Sequence, residues 1–295
     1  MGEMPQGITN NYVIVSPVRD EEQYIVKTIQ SVTGQTIPPA EWIIVDDGSS
    51  DATGKIIDDY ARQYSWIKAL HRLDRGERVP GTGVMEAFYA GYKSLNSTDW
   101  AFIVKLDGDV GLDPDYFERC FERFHEDPKL GMCGGVMYCI KNGRMEREPH
   151  PVVHVRGPIK LYRRACWDAI GGLMNAPGWD TVDEVQANRL GWHTKTFLDI
   201  RAIHYRPTGA VQGAWRDGVK NGRADFISGY HPVFEIVKCV ARLFKKPYFV
   251  YAIAHGYGFF TGYTKRIPRV KDPALVRYIR SQQMRRLFMM KSIWK

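Results

Sequence analysis

Short apolar runs alternate with stretches of helical spacing through residues 11–106. Residues 12–16, 42–46, 66–71 and 100–106 are rich in β-branched and aromatic side chains and are bounded by polar turns, so they read as strands. Between the first two, residues 20–34 repeat apolar positions at Ile25, Ile29 and Val32, a helical stripe with Asp20 placed as N-cap and Gly34 past the last turn. Residues 51–64 and 82–95 read as helices in the same way. The alternation predicts an α/β fold, a Rossmann-like and mostly parallel sheet flanked by helices. In such sheets ligands bind beyond the carboxyl ends of the strands, which makes the loops after each strand the ones to read for chemistry.

Residues 114–200 are mixed. A helix is expected over 114–126 with proline in its first turn. Strands follow at 132–140, 152–156 and 159–162, helices near 165–170 and 182–190, and a strand at 194–198. From Pro232 the pattern turns helical and basic through Lys246, and again over 273–291. The glycine-bearing stretches 79–83 and 171–178 are the expected mobile loops.

Composition sharpens this division. The chain has 295 residues with 41 Lys/Arg against 33 Asp/Glu. Residues 201–295 hold 19 basic and 4 acidic side chains (+15), and residues 1–200 hold 22 and 29 (−7). Hydrophobic content of 44% and charged content of 25% exclude disorder of the whole. A basic tail beside an acidic body points to an anionic partner for the tail. The five cysteines follow no C-x-x-C spacing, which argues against a disulfide framework or structural zinc and for a reducing compartment. No signal peptide is expected at the N-terminus, and 247–263 is short for a membrane span, so the expected location is cytoplasmic.

Three strand ends deliver polar loops: Ser16-Pro17-Val18-Arg19-Asp20-Glu21-Glu22, Asp46-Asp47-Gly48-Ser49-Ser50-Asp51, and Lys105-Leu106-Asp107-Gly108-Asp109. Paired carboxylates on one turn, with diphosphate oxygens, are what Mg²⁺ or Mn²⁺ accepts; a solvated turn is the plainer reading. Asp107, Asp109 and Glu118 also match three EF-hand positions, but Leu112 stands where that loop needs glycine and an apolar strand precedes it. Gly81-x-Gly83 lacks the third glycine of a dinucleotide fingerprint. A second acidic group, Asp180 to Glu184, lies at an expected helix start, where the helix dipole alone favours acids. Its other reading is a general base for a sugar hydroxyl. His204, after another strand-like run, either serves the structure or completes a metal's coordination.

Taken together, these loops resemble the family 2 glycosyltransferases of the GT-A fold over about residues 10–210. Pro17 and the acids after it look like the nucleotide-base loop, with Arg19-Asp20 where Asn-Glu is usual. Val45-Asp46-Asp47-Gly48-Ser49 matches the second nucleotide loop, whose carboxylates contact base and ribose. Leu106-Asp107-Gly108-Asp109 matches the D-x-D metal motif, with Asp109 the first choice as direct ligand. Gly171-Gly172 and Asp183-Glu184 match the acceptor loop and the acidic pair that holds the base of inverting members; the usual order is Glu-Asp, and by position Glu184 is the base with Asp183 the alternative. The resemblance implies a 1–210 catalytic domain, with residues 211–295 a basic, aromatic-rich helical appendage. It implies a UDP-, GDP- or dTDP-linked sugar donor, a Mn²⁺ or Mg²⁺ cofactor held by Asp107, Asp109 and His204, and Lys105 and Arg206 as cations for the departing diphosphate. The acceptor would be a hydroxyl of a glycan or lipid-linked acceptor, in polysaccharide or glycoconjugate synthesis.

Two other functions compete. A sugar nucleotidyltransferase would want a Gly- and Arg/Lys-rich signature after the first strand, and the sequence there is Pro-Val-Arg-Asp-Glu-Glu. A non-catalytic nucleotide- or glycan-binding component of a membrane polysaccharide complex would not need both acidic groups. In the tail, Val233, Ile236, Val237, Val240 and Leu243 form one apolar stripe and Leu275, Tyr278, Ile279, Leu287 and Phe288 another. Such stripes either pack inward or dock peripherally on an anionic membrane. No recognition motif for nucleic acid is present.

Overall fold

The computed structural model describes residues 10–74, 76, 82–141, 143–148, 150–206, 213–245 and 247–294. They divide into two compact units, 1–172 with 191–206 and 173–190 with 207–295.

The first unit is built on β1 (Tyr12–Val18), α1 (Ile25–Thr33), β2 (Glu41–Asp46), α2 (Thr53–Gln63), β3 (Ile67–His71), α3 (Thr82–Lys93) and β4 (Phe102–Leu106). It continues with β5 (Val110–Leu112), α4 (Tyr116–Glu126), β6 (Leu130–Lys141), β7 (Arg144–Arg147), β8 (Ile159–Arg163) and α5 (Arg164–Ile170). After α6 (Trp179–Arg189) of the other unit comes β9 (His193–His204). The sheet runs β3-β2-β1-β4-β8-β6-β9-β5, with β7 paired to β6. Strands β3, β2, β1 and β4 are parallel, and β8 is antiparallel to β4 and to β6. Because β9 is parallel to β6, its carboxyl end lies at the same edge as those of β1, β2 and β4. β1 and β2 are buried along their whole length, which is why they read as unbroken apolar runs. Below them α4 sets Phe117, Phe121 and Phe124 against Tyr12 and Phe102, with ring centroids 4.7 to 5.1 Å apart for the closest pairs.

The expected helices and central strands are present, with several differences. The first helix begins at Ile25, not at Asp20; Asp20 takes a left-handed backbone (φ 53°) and its carboxylate accepts from the Ser50 amide at 2.9 Å, tying two strand-end loops together. Residues 152–156 form no strand. β9 extends six residues past the expected end at 198, because three residues are looped out between the pairs Gly135–Phe197 and Val136–Arg201. That bulge breaks the alternation a strand would show and carries His204 to the sheet edge. Strands β5 and β7 escaped notice because they are only three and four residues long. Of the loop expected at 79–83, residues 79–81 lie outside the described residues and Thr82 opens α3.

The second unit comprises α6, α7 (Gly213–Ile227), α8 (Pro232–Arg242), α9 (Val250–Thr264) and α10 (Pro273–Leu287). Helices α7 and α9 fall within the stretch expected to be helical as a whole, although no separate helix was expected for either. Asp272 caps α10, accepting from the amides of Ala274 and Leu275. Leu275 and Ile279 of α10 pack on Val182 and Val185 of α6, so this part of the apolar stripe faces inward, whereas Phe288 at its end is exposed. Helices α7 and α9 touch backbone to backbone: a Cβ on Gly222 would collide with the carbonyl of His255, and one on Gly258 with that of Val219. Gly222→Ala is therefore expected to destabilise the protein by about 1–3 kcal/mol through forced separation of the two helices. A chemical-denaturation curve indistinguishable from that of the unmodified chain would contradict that close approach.

Candidate functional site

The carboxyl edge of the first unit's sheet gathers eleven of the residues singled out above. Pro17 pairs with Val45 on β2, and the β1–β4 register ends at Val15, so its missing N–H leaves no ladder partner waiting on that side. Past β1, the Arg19 guanidinium donates to the Asp47 carbonyl at 3.0 Å and to Asp74 at 2.7 Å. Glu21 is buried; its amide donates to the Thr53 hydroxyl at 2.8 Å, and its carboxylate pairs with Arg206.

Past β2, Asp46 accepts from the Ser49 amide at 2.8 Å with one oxygen and meets His71 Nδ1 at 3.1 Å with the other. Asp47 accepts from Arg72 at 2.7 Å. Gly48 turns immediately after them at φ 75°, where any side chain would strike Asp74. His71 also meets Asp58 at 3.0 Å; Asp58 and then Asp46 hold its imidazole above the usual range, against a smaller opposing effect of burial.

At the end of β4, Lys105 is 2% exposed and its ammonium pairs with Asp107 and donates to the Gly157 carbonyl at 2.8 Å. Burial pushes the Asp107 carboxyl up and Asp109 adds to this, while Lys105 opposes. Asp109 is buried, with Oδ2 3.6 Å from His204 Nε2 and 3.9 Å from Arg206 Nε. His204 meets Glu148 through Nδ1 at 3.4 Å, and Glu148 is held by Arg156 at 2.6 Å. Burial works against the imidazolium, yet Asp109 and Glu148 raise its pKa to about 9. Glu148, Arg156, His71 and Arg72 were not anticipated; they lie in no motif, and only the tertiary fold brings them to the site.

The donor set fits a hard divalent cation. Asp107 and Asp109 supply carboxylate oxygens, and burial disfavours the charge on Asp107. Glu148 on Nδ1 leaves Nε2 of His204 directed towards Asp109, the arrangement in which a carboxylate orients a ligating imidazole. These donors do not converge as closely as Asp225, Glu235 and His255 of the second unit, whose ligand atoms lie within 4.8 Å of one another. There, however, Lys238 already occupies Asp225, so the cluster is closed by side chains.

Asp183 and Glu184 belong to the second unit. Helix α6 begins at Trp179, so the pair sits in its second turn rather than at its start, and only Asp180 lies in the first turn. Both are buried, and Asp183 Oδ1 accepts from the Glu184 amide at 2.7 Å.

Residues 13–179 match the profile of the family described as Glycosyl transferase family 2. The chain is 29% identical over 185 residues to EpsH of Bacillus subtilis (strain 168), named as a glycosyltransferase, covering 62% of this chain and 50% of that protein. It is 29% identical over 231 residues to the poly-beta-1,6-N-acetyl-D-glucosamine synthase of Staphylococcus epidermidis, covering 68% and 51%. The chain thus spans about half the length of these relatives. The fold matches a mannosyltransferase from Pyrobaculum calidifontis solved with GDP-Man and Mn²⁺, at TM-score 0.56 and 13% identity over 96% of this chain and 76% of that one.

The His71 bridge between Asp46 and Asp58 carries a pH signature. A pKa raised on folding stabilises fully below the unfolded value, about 6.5, and the gain is lost as pH rises through the folded value. The drop in Tm caused by His71→Ala is expected to be larger near about pH 5.5 than near about pH 9. Equal drops, or a larger one in alkali, would remove the bridge from the account.

Proposed function

As the chain belongs to glycosyltransferase family 2, we propose that it transfers a sugar, with inversion and divalent-cation dependence, from a nucleotide-diphosphate donor to an acceptor hydroxyl. The observation that carries this reading is the convergence of the β1, β2, β4 and β9 carboxyl ends on one sheet edge. Pro17, Arg19, Asp20 and Glu21 would line the base, and Asp46 and Asp47 the base and ribose of a UDP-, GDP- or dTDP-linked donor. The mutual ties of these loops, Arg19 to the Asp47 carbonyl and Asp20 to the Ser50 amide, fix their shape before a nucleotide arrives.

Asp107, Asp109 and His204 would hold Mn²⁺ or Mg²⁺. Bound there, the ion supplies Lewis-acid stabilisation of the diphosphate charge that develops on departure. Lys105 and Arg206 add fixed positive charge, each held by an acid and therefore pre-oriented. Glu184, with Asp183 as the alternative, takes the proton of the acceptor hydroxyl. The oxygen then bonds to the anomeric carbon as the bond to the diphosphate oxygen breaks on the opposite face, which inverts that carbon.

The relative named as a poly-beta-1,6-N-acetyl-D-glucosamine synthase supports a glycan or lipid-linked acceptor in polysaccharide or glycoconjugate synthesis. Within the proposed division at residue 210, the helix of the acidic pair is not independent of the tail, since Val182 and Val185 are covered by α10. Among the described residues no helix is long and apolar enough to cross a membrane, so contact with a cytoplasmic membrane face would be peripheral.

Asp109→Ala should abolish the gain in nucleotide affinity that Mn²⁺ confers. Glu184→Gln should lower transfer by about two to four orders of magnitude while nucleotide-sugar affinity holds. Calorimetry beside a transfer assay separates the two; donor binding lost in Glu184→Gln would take the base role from that residue, and unchanged cation dependence in Asp109→Ala would refute the metal assignment.

A further inference from the structure

Helix α8 is mounted with its polar side inward. Glu235 is 0% exposed, whereas Val233, Ile236, Val237 and Val240 are 48%, 50%, 44% and 52% exposed. The inward groups form a largely buried ionic cluster: His255 Nε2 meets Asp225 at 2.9 Å and Glu235 at 2.8 Å, and Lys238 pairs with Asp225. Two carboxylates are matched by an ammonium and an imidazolium, whose pKa is raised by Asp225 and Glu235 against the effect of burial. In water the reverse orientation would hide the valines and hydrate the charges, so this mounting suits a medium that is itself apolar.

Helix α9 agrees. It has no Asp, Glu, Lys or Arg from Val250 to Thr264, and its Ala254 and Gly258 side is buried. Its other side leaves Val250, Ile253, Tyr257 and Phe260 40–56% exposed. Phe244, Tyr248 and Phe249 carry the apolar exposure through the segment joining the two helices. Fifteen residues span about 22 Å, short of the roughly 30 Å of a bilayer's hydrocarbon, so α9 can lie in an interface but not cross it. Residues 232–266 contain six Lys/Arg and one acid, Glu235, which is spent inward with Lys238. Arg242, Lys245, Lys265 and Arg266 remain exposed at the helix ends, the rim that anionic headgroups complement.

We propose that the outward faces of α8 and α9, with the segment joining them, dock in the headgroup region of an anionic phospholipid bilayer. This deepens the peripheral contact named above by assigning it to α8 and α9 and not to α10, whose stripe is buried against α6 at Leu275 and Ile279. It does not depend on the transferase reading, because the test contains no nucleotide sugar.

The full chain is floated with phosphatidylcholine vesicles and with vesicles containing phosphatidylglycerol. It should rise with the latter and far less with the former, and salt should weaken the association. Ile236→Glu/Val240→Glu should lower partitioning by at least about tenfold with the circular dichroism spectrum and Tm retained. Ile253→Glu tests α9 separately should the double variant unfold. The proposal fails if the unmodified chain floats with neither vesicle or if both variants float as it does. It fails equally if the chain is a dimer in solution that Ile236→Glu/Val240→Glu renders monomeric, since the face would then serve self-association.

Discussion

Asp107 and Asp109 are set on one strand-end turn, where burial and the neighbouring Asp109 disfavour the charge on Asp107. Such a pair persists only if its surroundings return positive charge. The sheet does so from three sources: Lys105 within β4, His204 at the end of β9, and Arg206 two residues on. Each of these cations is in turn fixed by another group, Lys105 by the Gly157 carbonyl, His204 by Glu148 and Arg206 by Glu21. The carboxyl edge of a sheet with parallel β1, β4 and β9 is what makes this possible, because it brings the ends of distant segments together. On the proposed function, binding of a phosphate-bearing ligand and a divalent ion would be an exchange of neutralising partners rather than the creation of a site.

The acids of this edge were legible in the sequence, since strand-like runs followed directly by Asp-Asp-Gly-Ser and Asp-Gly-Asp mark loop chemistry without any tertiary knowledge. Their partners were not. Glu148 reaches His204 only because β6 and β9 pair across a bulge, and no local pattern encodes that register. His71 and Arg72 follow an unremarkable strand and acquire meaning from lying beside β2, where they grip Asp46 and Asp47. Asp20 showed the opposite failure: a good capping residue by type was drawn instead into a loop-to-loop bond with Ser50.

Amphipathic spacing has a related blind spot. It identifies a stripe but not the side on which the protein's interior lies. The stripes of α8 and α10 look alike in sequence, yet α10 turns Leu275 and Ile279 onto α6 and α8 turns its valines outward. What separates them is the company of the polar side: Glu235 and Lys238 find Asp225 and His255 on other helices of the same unit, and the polar side of α8 is the one the fold buries. The charge contrast between body and tail thereby resolves into two placements, acids gathered at a sheet edge and bases that rim an apolar helical face.

The central claim, that four strand ends form one donor site, is tested most directly by hydrogen exchange of the full chain with a nucleoside diphosphate and Mn²⁺. Backbone amides in segments 18–22, 46–53, 105–109 and 203–206 should slow together, and the protection should weaken when the cation is chelated. Protection confined to other segments, or equal with and without the cation, would contradict the account.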